Sequence, residues 1–161
     1  MESIAFVLIF LALILTGPVM AMIFDKKQED SDRMLVSFIA ENFEALSGGA
    51  TLDYNGAAID SRTPIVRYRY CYSVLVLTTG KASGMYLGSA LDGEDARNAK
   101  LTCQLITAFS GWWGIPWGII RSIQYLFSNG VNNGISNENV GDVMYRIAQA
   151  AQSMQNSGAQ A

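Results

Sequence analysis

Between Ile4 and Phe24 the chain reads IAFVLIFLALILTGPVMAMIF, 21 residues without a charge. As a helix rising about 1.5 Å per residue, this run reaches roughly the 30 Å of a bilayer's hydrocarbon core. It predicts a retained transmembrane anchor or, alternatively, a cleaved signal peptide, for which Val19-Met20-Ala21 offers a cleavage site. A signal peptide opens with basic residues, whereas here Glu2 precedes the run and no Lys or Arg does, so the anchor is the expected reading. Gly17-Pro18 predicts a kink in its last third, because proline removes a helical hydrogen bond. Lys26, Lys27 and Arg33 follow the run and no basic residue precedes it. The positive-inside bias then places the N-terminus outside and the rest of the chain in the cytoplasm.

The 161 residues leave room for an anchor over 1–24, one domain over 25–155 and a tail over 156–161. Only 16% of the residues are charged, against roughly 25% in soluble domains, which points to lipid or to a large buried interface. A net charge of -3 with scattered Lys and Arg provides no basic stripe for phosphates, so nucleic acid is not an expected partner.

The polar stretch DKKQEDSD, Asp25–Asp32, reads as a linker. Ser31 or Asp32 can cap a helix running to about Ser47, with Leu35, Phe38, Ile39, Phe43 and Leu46 at helical spacing. Asn55-Gly56 marks a type I′ hairpin turn, and Thr79-Gly80-Lys81 a second reversal. The longest strand is expected from Ile65 to Leu77, within an antiparallel meander of three or four strands. Asp92 can cap a helix from Gly93 whose later part loses all charge through LTCQLITAFSGWWGIPWGII. Gly111, Gly114, Pro116 and Gly118 break that run. The expectation is two helices joined at a corner, the second beginning at Pro116 and ending by Asn129-Gly130. A last helix from Ser136 or Asn137 carries Val140, Met144 and Ile147 on a narrow apolar seam, a surface that packs on its own chain or on a partner.

The chain has no histidine, which removes Ser-His and Cys-His nucleophilic pairs and imidazole metal sites. Cys71 and Cys103 lack CxxC spacing and read as buried small hydrophobes, with a disulfide as the alternative. No dinucleotide, Walker or EF-hand pattern occurs, and neither cofactor nor metal is expected. Asp92, Glu94 and Asp95 are paired carboxylates of the kind acid-base chemistry uses, but helix capping accounts for them more simply. Arg67 and Arg69 alternate onto one strand face and are candidates for gripping an anionic lipid headgroup, or for pairing with Asp53 and Asp60. The strongest local signal is Gly111-Trp112-Trp113-Gly114-Ile115-Pro116-Trp117-Gly118. Indole rings join an apolar body to one N–H donor, and tryptophans therefore gather at membrane and protein interfaces. A plain core corner is the competing reading.

The segment RYRYCYSVLVLT, followed after about thirty residues by GWWGIPWGIIRSIQYLFSNG, resembles a pattern in uncharacterised bacterial membrane-associated proteins. They carry a similar Arg-Tyr-x-Tyr-Cys strand and a Gly-Trp-Trp-Gly-Ile-Pro-Trp-Gly corner. In them a proline often follows the last glycine, where this chain has Ile119. The likeness covers Ile65 to Gly130 and implies a bacterial origin and a compact module at a membrane. It transfers no activity and no catalytic residue.

The combined expectation is an α+β chain: an N-terminal transmembrane helix, then a small antiparallel sheet packed with helices, among them a helical hairpin with the Trp/Gly/Pro corner. Its expected location is a bacterial inner membrane, with a single span. Its expected role is a membrane-anchored, non-enzymatic accessory or scaffold subunit. Trp112, Trp113 and Trp117 with Gly111, Gly114, Pro116 and Gly118 of the corner, and Val140, Met144 and Ile147 of the last helix, would meet the bilayer or other protein subunits, a second copy of this chain among them. A lipid- or small-ligand-binding module at the membrane surface is the alternative.

Overall fold

Residues 2–41 form one unbroken helix, α1 (Glu2–Glu41), which passes through Pro18 and through the stretch expected to be a linker. The computed structural model describes the backbone of residues 2–74 and 77–158, and the side-chain surroundings of residues 16, 18–74 and 77–157. A short helix, α2 (Phe43–Ser47), follows after Asn42. Among the described residues seven strands and three further α-helices follow: β1 (Leu52–Tyr54), β2 (Ala57–Ile59), β3 (Pro64–Arg67), β4 (Arg69–Val74), β5 (Leu77–Ala82), β6 (Tyr86–Leu87), α3 (Glu94–Ser110), α4 (Trp117–Val131), β7 (Ile135–Asn139) and α5 (Val140–Gly158). A 3-10 turn at Gly88–Ala90 precedes α3. The α+β class with small antiparallel sheets and helices is what the structure shows.

The N-terminal transmembrane helix is corrected. Among the described residues no helix is long and apolar enough to cross a membrane, and the single-span inner-membrane placement falls with it. The side chains of residues 4–15, on which part of that expectation rested, lie outside the described residues. What the run's last part does instead is pack. Ala21 and Phe24 are buried in a cluster with Val66, Tyr68, Tyr70, Ala99, Cys103 and Ile106, and Phe24 meets the Tyr70 ring edge-on, with centroids 5.7 Å apart. One turn on, the polar residues continue the same face. Asp25 accepts from the Tyr70 hydroxyl and pairs with Lys81. Gln28 Oε1 accepts from Gly84 N–H at 3.0 Å and from the Tyr86 hydroxyl at 2.7 Å. Asp32 Oδ1 accepts from Met85 N–H at 2.6 Å. The charged stretch is thus a docked helix face and no linker, since positions spaced by three and four share one side of a helix.

That face ends in a second cluster, where Leu35 and Ile39 of α1 join Leu46, Ile59, Ile65 and Leu87. Val140, Val143 and Met144 of α5 close the same cluster, and Ile147 packs against it.

The sheet expectation is corrected in detail. The long strand from Ile65 to Leu77 is two strands interrupted at Tyr68, and they belong to different sheets: β6-β3-β7 and the β4-β5 hairpin, with β1-β2 a third. β4 pairs with β5 from Arg69↔Ala82 to Val74↔Leu77. The connection therefore falls at residues 75 and 76, outside the described residues, and Thr79-Gly80-Lys81 lies within β5. The Asn55-Gly56 turn is as expected, with φ of 53° and 81°. β7 and the start of α5 at Val140 replace the helix start expected at Ser136 or Asn137. Asn139 and Asp142 exchange side-chain-to-backbone hydrogen bonds of 2.8 and 2.9 Å there, a reciprocal cap. At α3 the N-cap position is Gly93 without a side-chain bond, so Asp92 does not cap it. Cys71 and Cys103 are buried and free.

Candidate functional site

β4 has β5 on one edge. Its other edge is closed by side chains from the helical pair. Asn129, wholly buried on α4, accepts Arg69 N–H on Oδ1 at 3.0 Å and donates Nδ2–H to Arg69 C=O at 2.5 Å, standing in for a neighbouring strand. Thr107 of α3 accepts Cys71 N–H at 3.1 Å, and Ser122 Oγ lies 3.6 Å from Cys71 Sγ. Each buried polar group needs such a partner, because an orphan costs about 1–3 kcal/mol.

The corner between α3 and α4 is sewn to the hairpin in the same way. Ser73 Oγ donates to Gly111 C=O at 2.9 Å, and Thr78 Oγ1 lies 3.0 Å from Ser73 Oγ and donates to Gly114 C=O at 3.5 Å. These contacts require glycine: a Cβ on Gly114 would collide with Thr78 Oγ1, and one on Gly118 with Gly111 C=O. Arg121, the one charge between Lys100 and Glu138, donates Nη1–H to Thr78 C=O at 3.2 Å.

The consequence is an inverted helix. α4 turns Gly118, Ser122 and Asn129 inward and leaves Ile119, Ile120, Ile123, Phe127 and Val131 exposed. With 3.6 residues per turn these five fall on one side of the helix. α3 adds exposed Leu101, Leu105 and Phe109, and the hairpin end adds Val74 and Leu77. At the corner Trp112 and Trp113 are half-exposed, at 38% and 37%, while Ile115 and Trp117 stand at 72% and 64%. Trp113 Nε1–H donates to Phe109 C=O at 3.1 Å. Pro116 holds the N-cap position of α4. The corner residues singled out in the sequence are thus brought together, with glycines inward and rings outward.

The other predicted residues are placed differently. Val140 and Met144 are buried in the chain's own core and Ile147 rests against it. Arg67 and Arg69 are separated by the break at Tyr68, yet both line a cavity of about 150 Å³ with Glu138. Arg67 lies 3.7 Å from Asp32 and 3.8 Å from Glu138, so its charge is answered within the chain. Arg69 lies over the Tyr125 ring at 5.8 Å. Neither meets Asp53 or Asp60: Asp53 accepts Gly56 N–H and Asp60 binds Thr63 and Arg62 N–H.

A larger cleft of about 660 Å³ between α1 and the β5–β6 connection is lined by Asp25, Asp32, Arg67 and Lys81. Its cations are paired to its carboxylates. Burial pushes the Asp32 carboxyl above its ordinary range, outweighing Met85 N–H and Arg67, which lower it. The bond to Asp25 raises the Lys81 ammonium.

Sequence reading missed Asn129, Ser122, Thr107 and Ser73. Their signal was present: Gly118, Ser122 and Asn129 recur at spacings of four and seven, a small and polar stripe on an otherwise apolar helix. Comparison with protein-family models, curated proteins and solved structures finds no match.

Proposed function

We propose that this chain is a non-enzymatic accessory or scaffold subunit whose work is attachment through its tryptophan-cornered apolar end. The observation that supports this is the inversion of α4. In water a helix turns its apolar stripe inward, whereas this one turns glycine, serine and asparagine inward and offers isoleucine, phenylalanine and valine outward. Contiguous exposed apolar surface of this kind marks an interaction site. The half of the chain around α5 and the β6-β3-β7 sheet, with its own core, is then the body that is held in place.

The test uses outward residues, so that folding and attachment separate. Ile123→Lys with Phe127→Lys should release the full chain from the high-mass or particulate fraction of cells, with an unchanged circular dichroism melt. Retention of the doubly substituted chain in that fraction would count against the reading. So would loss of cellular function in Asp92→Asn, Glu94→Gln and Asp95→Asn with the apolar end intact, because that outcome would point to acid-base chemistry.

A further inference from the structure

We propose that the medium covering the apolar end is one leaflet of a lipid bilayer, entered without a crossing by the corner and by Val74 and Leu77 of the β4-β5 hairpin. This rests on the attachment reading and names its partner. Direction is the first reason. Tyr70 faces α1, through Phe24 and Asp25, while Arg69 and Cys71 face α4, through Tyr125 and Ser122. The two helices therefore lie on opposite sides of the hairpin. Both carry apolar chains outward: Met20, Met22 and Ile23 on α1, and Ile120, Ile123 and Phe127 on α4. A single protein partner covers one side, whereas hydrocarbon wets all of them.

The interior points the same way. Where the surroundings are as apolar as the side chains, helices are held by small residues and hydrogen bonds, not by hydrophobic burial. Gly111, Gly114, Gly118, Ser73, Ser122 and Asn129 supply that kind of contact. The corner's carbonyls at Phe109, Gly111 and Gly114 are answered by Trp113, Ser73 and Thr78. Irregular backbone at membrane depth is tolerated only when so satisfied.

Charge sets the level. Asp25 pairs with Lys81, Arg69 stands one register step from Lys81's partner Tyr70, and Lys100 donates to Asn133 at 2.6 Å. Beyond that boundary the described residues 70–74, 77–80 and 101–120 carry no charge, and the one cation there, Arg121, is turned to the hairpin, donating to Thr78 C=O at 3.2 Å. From Arg69 to Val74 the strand reaches about 17 Å, and from Lys100 to Ser110 the helix reaches about 15 Å. Both are close to half of the roughly 30 Å hydrocarbon core. Lys26, Lys27 and Lys100 then stand where lipid phosphates lie, and negative lipid strengthens the contact.

All three tryptophans sit in the corner, so native fluorescence reports on this end alone. The full chain is mixed with phosphatidylcholine vesicles, with and without phosphatidylglycerol, whose acyl chains carry bromine near the headgroup or near the terminal methyl. The expected result is quenching that is stronger for the deep bromines, with tighter binding when phosphatidylglycerol is present. Phe127→Ala should weaken partitioning roughly tenfold or more, the loss of one buried aromatic side chain. Absent quenching, or quenching by the shallow bromines alone, overturns the proposal. If cross-linked dimers form while fluorescence stays unquenched, and Ile123→Lys with Phe127→Lys abolishes them, the attachment reading survives with a second copy as partner and only the lipid assignment fails.

Discussion

Replacing Asn129 tests whether the edge of β4 is held by one side chain. Its amide makes two hydrogen bonds to the backbone of Arg69, in a site where Asn129 is 0% exposed. Asn129→Leu removes both, leaving Arg69 N–H and C=O without that partner in a part-buried site. At up to about 1–3 kcal/mol for each orphan, the loss is at most about 2–6 kcal/mol. That is a large part of the roughly 5–15 kcal/mol that holds a domain together. Asn129→Asp keeps the acceptor for Arg69 N–H but sets an anion against Arg69 C=O, so it should be no milder at neutral pH. Urea unfolding followed by near-ultraviolet circular dichroism measures the loss, and amide hydrogen exchange at Arg69 locates it. Leucine is the residue that a purely hydrophobic account would favour at an interior helix position. An Asn129→Leu chain as stable as the parent, with Arg69 exchange unchanged, would refute the reasoning.

Gly114→Ala should destabilise by about 1–3 kcal/mol through overpacking against Thr78, and Thr78→Ala should restore part of it in the double variant's thermal melt. Asp92→Asn and Asp95→Asn should each change stability by less than about 0.5 kcal/mol in the same assay, because α3 has no side-chain cap to lose. Asp32 holds its proton more tightly when folded than the unfolded chain does, so its contribution to stability falls as pH rises from 3.8 through its raised native value. Asp32→Asn, which keeps an acceptor for Met85 N–H, should flatten that fall in urea midpoints taken across the acid range. Asp60 behaves oppositely: the Thr63 hydroxyl lowers it, so its stabilisation is present above pH 3.8 and disappears as pH falls through the native value. Thr63→Val should remove most of that acid dependence.

Local features were legible from the residues. Asn55-Gly56 makes its turn because φ above zero suits those two side chains, and the glycine-rich break after Ser110 ends one helix and starts another because little else fits Thr78 and Ser73 so closely. The tryptophans turn outward because the glycines beside them must turn inward. What depended on distant partners was not legible. Ile4–Phe24 reads as a membrane span when only charge is counted, yet Ala21 and Phe24 belong to a core whose other members lie more than forty residues on. Asp25, Gln28 and Asp32 read as a linker until Tyr70, Lys81, Gly84 and Met85 are brought against them. Arg67 and Arg69 share a strand face by count, but the break at Tyr68 gives one to Asp32 and Glu138 and the other to Tyr125. A side chain's type and spacing determine what it can bind and which way it turns on its own element. Which surface it meets is decided by the packing of elements far apart in the chain, and here that packing turned an apolar helix face outward by filling its other side with hydrogen bonds to a strand edge.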